Sequence, residues 1–421
     1  EHAANIKIFL ATRPMRLTYL VKRPMTERDY HRLGISYALE ISHTVTLVDL
    51  SNALHPDLPA QKPFDIDNPH FSMRFYNRIS DLGRDAASIL DVDLVFCLIQ
   101  SNGLARNNIA VMRMLKKVGV PYLMMAPVLY PGWHIDVAKT SLKQRIIDFI
   151  GRIRAADPIN TLVTKIPPRW LGLPSAKYIV YMSLESERAR NNLVSPNTVP
   201  IYSHSYDYDF FFKDHAAHNK QASQPPKDTT TAPTAVFIDQ YMPFHEDYDS
   251  INAPRIDAER YYIELRSLFD KIEHDLGLNV IIAAHPRAEY KDKPDYFGGR
   301  AIVYGETTGL IEDSQLVIVH TSTMFAYALL LKKPVIVATS QQLYHRQAYE
   351  KHYYEGIAAV FGKQPVFVDV PGGPDLTHVM DVDVAEIEKY INQYMRHPNA
   401  KEGHLWETVF KEIENGSGSQ I

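Results

Sequence analysis

A single cysteine, Cys97, in 421 residues excludes an internal disulfide and any zinc site built on paired cysteines. It lies inside an apolar run, which fits a reducing, cytoplasmic setting. No apolar stretch reaches the roughly 18 residues of a membrane-spanning helix, and the start of the chain does not read as a secretory leader. Neither sign of charge dominates. The 45 Lys and Arg against 49 Asp and Glu leave a formal net charge of −4, which argues against a general nucleic-acid binder. The chain also lacks a Walker A loop, a GxGxxG turn, a nucleophile-elbow serine and any repeat of about 20 to 50 residues.

What remains is an ordinary globular composition, 45% hydrophobic and 22% charged. The length exceeds one core, so two domains are expected. Short apolar runs alternate with helix-compatible segments throughout, the signature of βαβ units on parallel sheets. In the first half, strands are expected at 6–11, 44–50, 93–99, 121–126 and 177–184. Residues 51–77, rich in Pro, Asn and Asp, read as a long ordered loop. The polar segment 214–233 (DHAAHNKQASQPPKDTTTAP) is the clearest linker. The expected division is a Rossmann-like domain over 1–213, the linker 214–233, a second Rossmann-like domain over 234–415, and a flexible tail, GSGSQI, at 416–421.

The most informative stretch runs from 279 to 339. Strand-like runs at 280–284, 316–319 and 334–338 each end in polar residues. His285-Pro286-Arg287 follows the first and His320-Thr321-Ser322-Thr323 the second, with an apolar helix expected over 324–331. Ligands of doubly wound sheets bind beyond the carboxyl ends of the strands. A helix start offers backbone N–H groups and a favourable dipole to a phosphate, and the hydroxyls of Thr321, Ser322 and Thr323 add donors. His285 and Arg287 supply further donors, and Pro286 stiffens their turn. Taken singly, Thr-Ser-Thr also fits a plain N-cap and His285 an ordinary loop residue. Taken together, on strand ends read as neighbouring, they mark an anion crevice. Upstream, VFIDQYMPFHEDY places Asp239 at the end of a strand over 234–238, where a carboxylate either caps a turn or performs chemistry.

A His-Pro motif, a Ser/Thr-rich helix start and a Lys-Pro strand resemble the nucleotide-binding domain of GT-B glycosyltransferases. With Asp239, the pattern is similar to bacterial retaining β-Kdo transferases of O-antigen and capsule synthesis. The resemblance covers mainly residues 200–340 and implies an α/β GT-B fold, two Rossmann-like domains facing across a cleft. It implies that CMP-Kdo, or a related CMP-ulosonic acid, is held at His285, Pro286, Ser322 and Thr323. Asp239 would be the catalytic nucleophile and His285 would assist at the leaving phosphate. Configuration would be retained through a covalent sugar adduct. A UDP- or dTDP-sugar transferase, a polyol-phosphate transferase and a non-catalytic sugar-nucleotide binder are the alternatives. No cofactor or metal is expected. Asp91-Val92-Asp93 has the spacing of a metal-binding DxD run but precedes its strand.

The acceptor, an oligosaccharide or lipid-linked glycan, falls to the first domain. Arg13, Ser101, Asn102 and Glu185, near strand ends, are its candidate contacts, against an ordinary loop or helix-start role for each. Residues 139–154 (KTSLKQRIIDFIGRIR) form a basic amphipathic helix pattern. Such a helix packs into its own protein or rests on the inner membrane surface. In GT-B enzymes the last helix often returns to the first domain, and Leu405, Trp406, Val409 and Phe410 could supply that contact.

Overall fold

The computed structural model describes residues 13–55, 66–99, 108–127, 166, 168–189, 191–221, 232–245, 254–291, 293–347 and 350–418. The expected strand at 6–11, the basic segment 139–154 and the strand-end groups at 100–102 lie outside these residues.

Continuous apolar runs of four to six residues form strands buried on both faces, and they pair in parallel. One sheet contains β1 (Arg16–Val21), β2 (Thr44–Asp49), β3 (Phe71–Phe75), β4 (Leu94–Cys97), β5 (Tyr122–Met125), β6 (Tyr178–Tyr181) and β7 (Val199–Tyr202), in the order β3-β2-β1-β4-β5-β6-β7. The other contains β8 (Thr234–Ile238), β9 (Asn279–Ala284), β10 (Ile302–Tyr304), β11 (Leu316–Val319), β12 (Val335–Thr339) and β13 (Val366–Phe367), in the order β10-β9-β8-β11-β12-β13. In each sheet the chain starts centrally, winds to one edge, then crosses back beside its first strand and winds to the other. The fold is α/β with two Rossmann-like units, as the sequence implies. Among the described residues, no helix is long and apolar enough to cross a membrane.

The boundaries differ from the expected ones. Described residues up to Tyr206, together with those from Arg396 onward, form one compact unit, and Asp207–Met395 belong to the other. The expected linker is helical in its first part, within the helix Tyr206–Gln221, and the expected tail is helical to Gly418, within the helix Leu405–Gly418. Three strands escaped the reading. β1 follows Arg13, β3 lies within the expected loop 51–77, and β7 opens the aromatic stretch 200–212, for which no strand is expected. β3 is an edge strand with mostly exposed side chains (FSMRF), so it lacks the apolar run that marks a buried strand.

Side-chain alternation sends Leu17, Tyr19, Leu47 and Phe96 to one face of the first sheet and Leu20, Val48, Val95 and Cys97 to the other. The first face is covered by Leu405, Trp406, Val409, Phe410 and Ile413, a stripe at helical spacing on the last helix. Phe96 lies 5.7 Å from Phe410 and stacks on Tyr19 at 4.3 Å. Trp406 donates its indole N–H to the Arg32 carbonyl at 2.9 Å and lies against Gly34. Gly34 has a φ of +75°, and a Cβ there would sit 2.2 Å from the indole. Gly119 has a similar φ of +78° with nothing within 4 Å. Gly34→Ala is expected to lower stability by about 2–4 kcal/mol and Gly119→Ala by about 1 kcal/mol, read from denaturant unfolding midpoints. Equal costs would mean that the return of the last helix does not crowd Gly34.

Candidate functional site

The second sheet places the ends of β9, β8, β11 and β12 side by side, carrying His285, Asp239, His320 and Ser340. The winding direction reverses between β8 and β11, where doubly wound sheets open a crevice. The His285 group and the Thr321 group therefore do not occupy neighbouring strands. They flank β8, whose end carries Asp239 and Gln240 between them.

Asp239 is 3% exposed, and its carboxylate is enclosed by donors. Oδ1 accepts from the Tyr241 amide at 2.9 Å, and Oδ2 accepts from the Tyr290 hydroxyl at 2.7 Å and the His285 amide at 3.3 Å. The Gln240 amide donates as well. Burial pushes the carboxyl above its ordinary range, and the four hydrogen bonds pull it back. The loop pays for this wrapping with one strained residue, Tyr241, at a φ of +52°. Tyr290 is held in turn by Tyr262, with hydroxyls 3.4 Å apart, and burial raises both phenols far above their ordinary range. Tyr262 stacks on Tyr296 at 4.3 Å, and Phe297 lies edge-on to Tyr290 at 5.1 Å.

His285 accepts from the Arg287 amide through Nδ1 at 3.2 Å, which places the ring proton on Nε2. Its ring meets His245 edge-on at 4.9 Å. Pro286 and Arg287 are exposed on the same turn. Across β8, the Thr321 amide donates to Gln240 Oε1 at 2.8 Å, and Gln240 Nε2 reaches the Thr321 hydroxyl at 3.5 Å. Ser322 Oγ accepts from the Met324 amide at 3.3 Å, and Thr323 is exposed. The helix that follows, Phe325–Leu330, is shorter than expected because Ser322–Met324 form a tight turn first. Beside β10, a cavity of about 530 Å³ is lined by Ala288, Glu289, Tyr290, Lys291, Ile302 and Tyr304. A larger one, about 970 Å³, lies along β13 at the far edge of the sheet, with no part in this cluster.

Asp239, Gln240, His285–Arg287 and Thr321–Thr323 thus share one corner of the second unit. The acceptor-side candidates belong to the first unit. Arg13 is exposed, ahead of the amino end of β1. Ser101 and Asn102 lie outside the described residues. Glu185 is half-buried in the helix Leu184–Arg188 after β6, paired with Arg188 at 2.6 Å. Four features were not read from the sequence. Gln240 was noted without a role. Tyr290 closes the HPRAEY run and Tyr262 adjoins the apolar stripe of its helix. The buried pair Arg346–Glu350 after β12 carries a helical i, i+4 spacing that could have signalled it.

His320 is a core residue. Its Nδ1–H donates to the Ala338 carbonyl at 2.7 Å and its Nε2 accepts from Tyr261 at 3.0 Å, tying β11 to β12 and to the helix Ala258–Leu276. Burial lowers its pKa from 6.5 to about 4, and burial does the same to His43 in the first unit. A base with a depressed folded pKa resists protonation, so its contribution is complete above the unfolded value and is lost as pH falls. Stability is expected to drop between about pH 6.5 and 4, with His320 accounting for on the order of 3 kcal/mol. His320→Gln is expected to flatten that window in an unfolding titration. An unchanged slope would mean that His320 does not titrate there.

The chain matches no family model and no curated protein sequence. Solved structures resemble it over almost its whole length at low identity. The glycotransferase of kitacinnamycin is 9% identical, with 97% of this chain and 100% of that one covered and a TM-score of 0.42. UDP-GlcNAc 2-epimerase from Methanocaldococcus jannaschii is 13% identical, with 96% and 100% covered and a TM-score of 0.44. The wall teichoic acid polymerase TagF is 10% identical, with 98% and 91% covered and a TM-score of 0.45. At such values the likeness carries no argument about chemistry.

Proposed function

We propose that this chain is a glycosyltransferase that takes a nucleotide-activated sugar at the carboxyl edge of its second sheet, with a CMP-ulosonic acid such as CMP-Kdo as donor. One observation carries the reading. The switch point gathers a cationic turn, His285–Arg287, a hydroxyl-rich turn, Thr321–Thr323, and a carboxylate, Asp239, on three consecutive strands of one sheet. The motif resemblance supplies the donor class. In this reading the two turns hold the phosphate from either side. Gln240, now bonded to the Thr321 amide, yields that donor to the ligand.

For the transfer step, Asp239 attacks the anomeric carbon. The carboxylate oxygen–carbon bond forms as the carbon–phosphate-oxygen bond breaks, and CMP leaves with the electron pair. An acceptor hydroxyl then displaces the carboxylate and gives up its proton to solvent or a base. Two displacements retain configuration. A second reading, a non-catalytic sugar-nucleotide binder, is favoured by the saturation of that same carboxylate: four donors suit a structural hub as well as a nucleophile.

CMP at about 100 times its dissociation constant is expected to stabilise the chain by about 2.7 kcal/mol in thermal unfolding, and more than UDP at equal concentration. Asp239→Asn is expected to lower transfer from CMP-Kdo by on the order of 10³ while CMP still binds. Mass spectrometry of the wild-type chain with donor alone should find the sugar on Asp239. Stronger stabilisation by UDP removes the donor assignment, and a product of inverted configuration removes the nucleophile.

A further inference from the structure

We infer that Tyr290, backed by Tyr262, is the positioning residue for Asp239. Three of the four donors to this carboxylate are backbone amides, of Gln240, Tyr241 and His285. The fourth, the Tyr290 hydroxyl at 2.7 Å, is the shortest contact given for that carboxylate and the one that a side-chain substitution can delete. Because Tyr290 donates to Asp239, its oxygen is left to accept from Tyr262, 3.4 Å away. The result is a directed chain from Tyr262 to Tyr290 to Asp239, three residues each under 10% exposed and drawn from a helix, a loop and a strand end. The ring of Tyr290 is fixed independently by Phe297 and Tyr241, at 5.1 and 5.6 Å. Its backbone amide is also anchored, on the Tyr304 hydroxyl at 3.3 Å. A phenol so constrained holds Oδ2 in one orientation. It also favours the charged carboxylate over the neutral acid, against the pull of burial.

The kinetic consequence rests on the proposed function, whereas the thermodynamic one does not. With Tyr290→Phe, Asp239 keeps its three amide donors and loses the phenol, so its folded pKa rises further above the unfolded value. For an acid this means stability is lost as pH climbs through the folded pKa. Tyr290→Phe should therefore cost more at neutral pH than in acid, where protonation of the carboxyl removes the difference. Mere loss of packing would cost the same at every pH. The other titratable groups facing Asp239 and Tyr290 are His285, His245, Glu289, Tyr241, Tyr262 and Tyr296, present in both chains and cancelling in the difference.

The experiment is thermal unfolding of the full chain, wild type against Tyr290→Phe, from about pH 4 to about pH 8. Tyr262→Phe serves as a milder variant, and Tyr296→Phe, whose ring stacks in the cluster outside the hydroxyl chain, as a packing control. A gap in melting temperature that widens with pH for Tyr290→Phe, less steeply for Tyr262→Phe and not for Tyr296→Phe, is the expected result. A pH-independent gap for Tyr290→Phe overturns the inference. If Tyr290→Phe does not fold, a flat Tyr262→Phe profile overturns it instead. Where transfer from CMP-Kdo is measurable, Tyr290→Phe should move the acid limb of the kcat profile to higher pH. It should also lower kcat about tenfold with donor KM within about twofold. Absence of any transferase activity in wild type would sink the proposed function and leave the unfolding result standing.

Discussion

Removing a carboxylate from water costs several kcal/mol unless its oxygens regain hydrogen bonds, and Asp239 shows how that cost shapes a site. Three of the donors that offset it are amides of the chain itself, in the loop after β8 and the first residue after β9. The charge therefore dictates the path of both loops. Turning two successive amides, Gln240 and Tyr241, onto one side chain bends the backbone sharply, and the left-handed Tyr241 is the residue that absorbs the bend. With that turn in place, Gln240 can reach Thr321 across the switch point, and His285 begins its own turn from a fixed amide. The turns on either side of β8 are thus aligned by a buried carboxyl whose oxygens are satisfied locally.

A strand-end aspartate is not diagnostic alone. Asp49, at the end of β2 in the other unit, is also buried and accepts from the Ser51 amide at 2.7 Å. What separates Asp239 is the phenol chain and the tie to the next strand, a second layer that a turn cap does not need. His320 marks the opposite solution one strand over. There burial keeps the imidazole neutral, and its two ring nitrogens are matched to one acceptor and one donor. One strand end carries a buried acid braced by donors and the next a buried base whose burial disfavours its charged form.

The sequence made the second unit legible because its strands, such as LVIV and VIVAT, are buried on both faces and read as unbroken apolar runs. The same rule failed for β3, which lies at an edge and exposes most of its side chains. The helix Ala258–Leu276 buries an apolar stripe, yet its Ile263 is 51% exposed, while the neighbouring Tyr262 is buried and belongs to the phenol chain. Spacing shows which face a residue occupies, not which hydroxyl its neighbour offers. The placement of Asp239, His285 and Thr321 at strand ends followed from local pattern. Their order did not, because strand adjacency is set by the crossover, and β8 separates two groups that had been read as adjacent. The return of the last helix to the first unit is implied by the resemblance rather than by local pattern, since it rests on a pairing more than 370 residues apart, Trp406 with Arg32, which no window along the chain contains.

The contact between Gln240 and Thr321 gives the proposed donor site a physical rationale for selectivity. An amide oxygen is a neutral acceptor, and at 2.8 Å it fully satisfies the Thr321 N–H. A ligand that offers another neutral acceptor gains little by exchange, since one ordinary hydrogen bond replaces another. A phosphate gains more, because a charged acceptor makes a stronger bond to the same donor, and the hydroxyls of Thr321 and Ser322 stand beside it. Gln240 Nε2, already near the Thr321 hydroxyl, can then turn its own donors towards the incoming oxygens. On this reading the neutral acceptor that holds the Thr321 amide is the one a charged acceptor replaces.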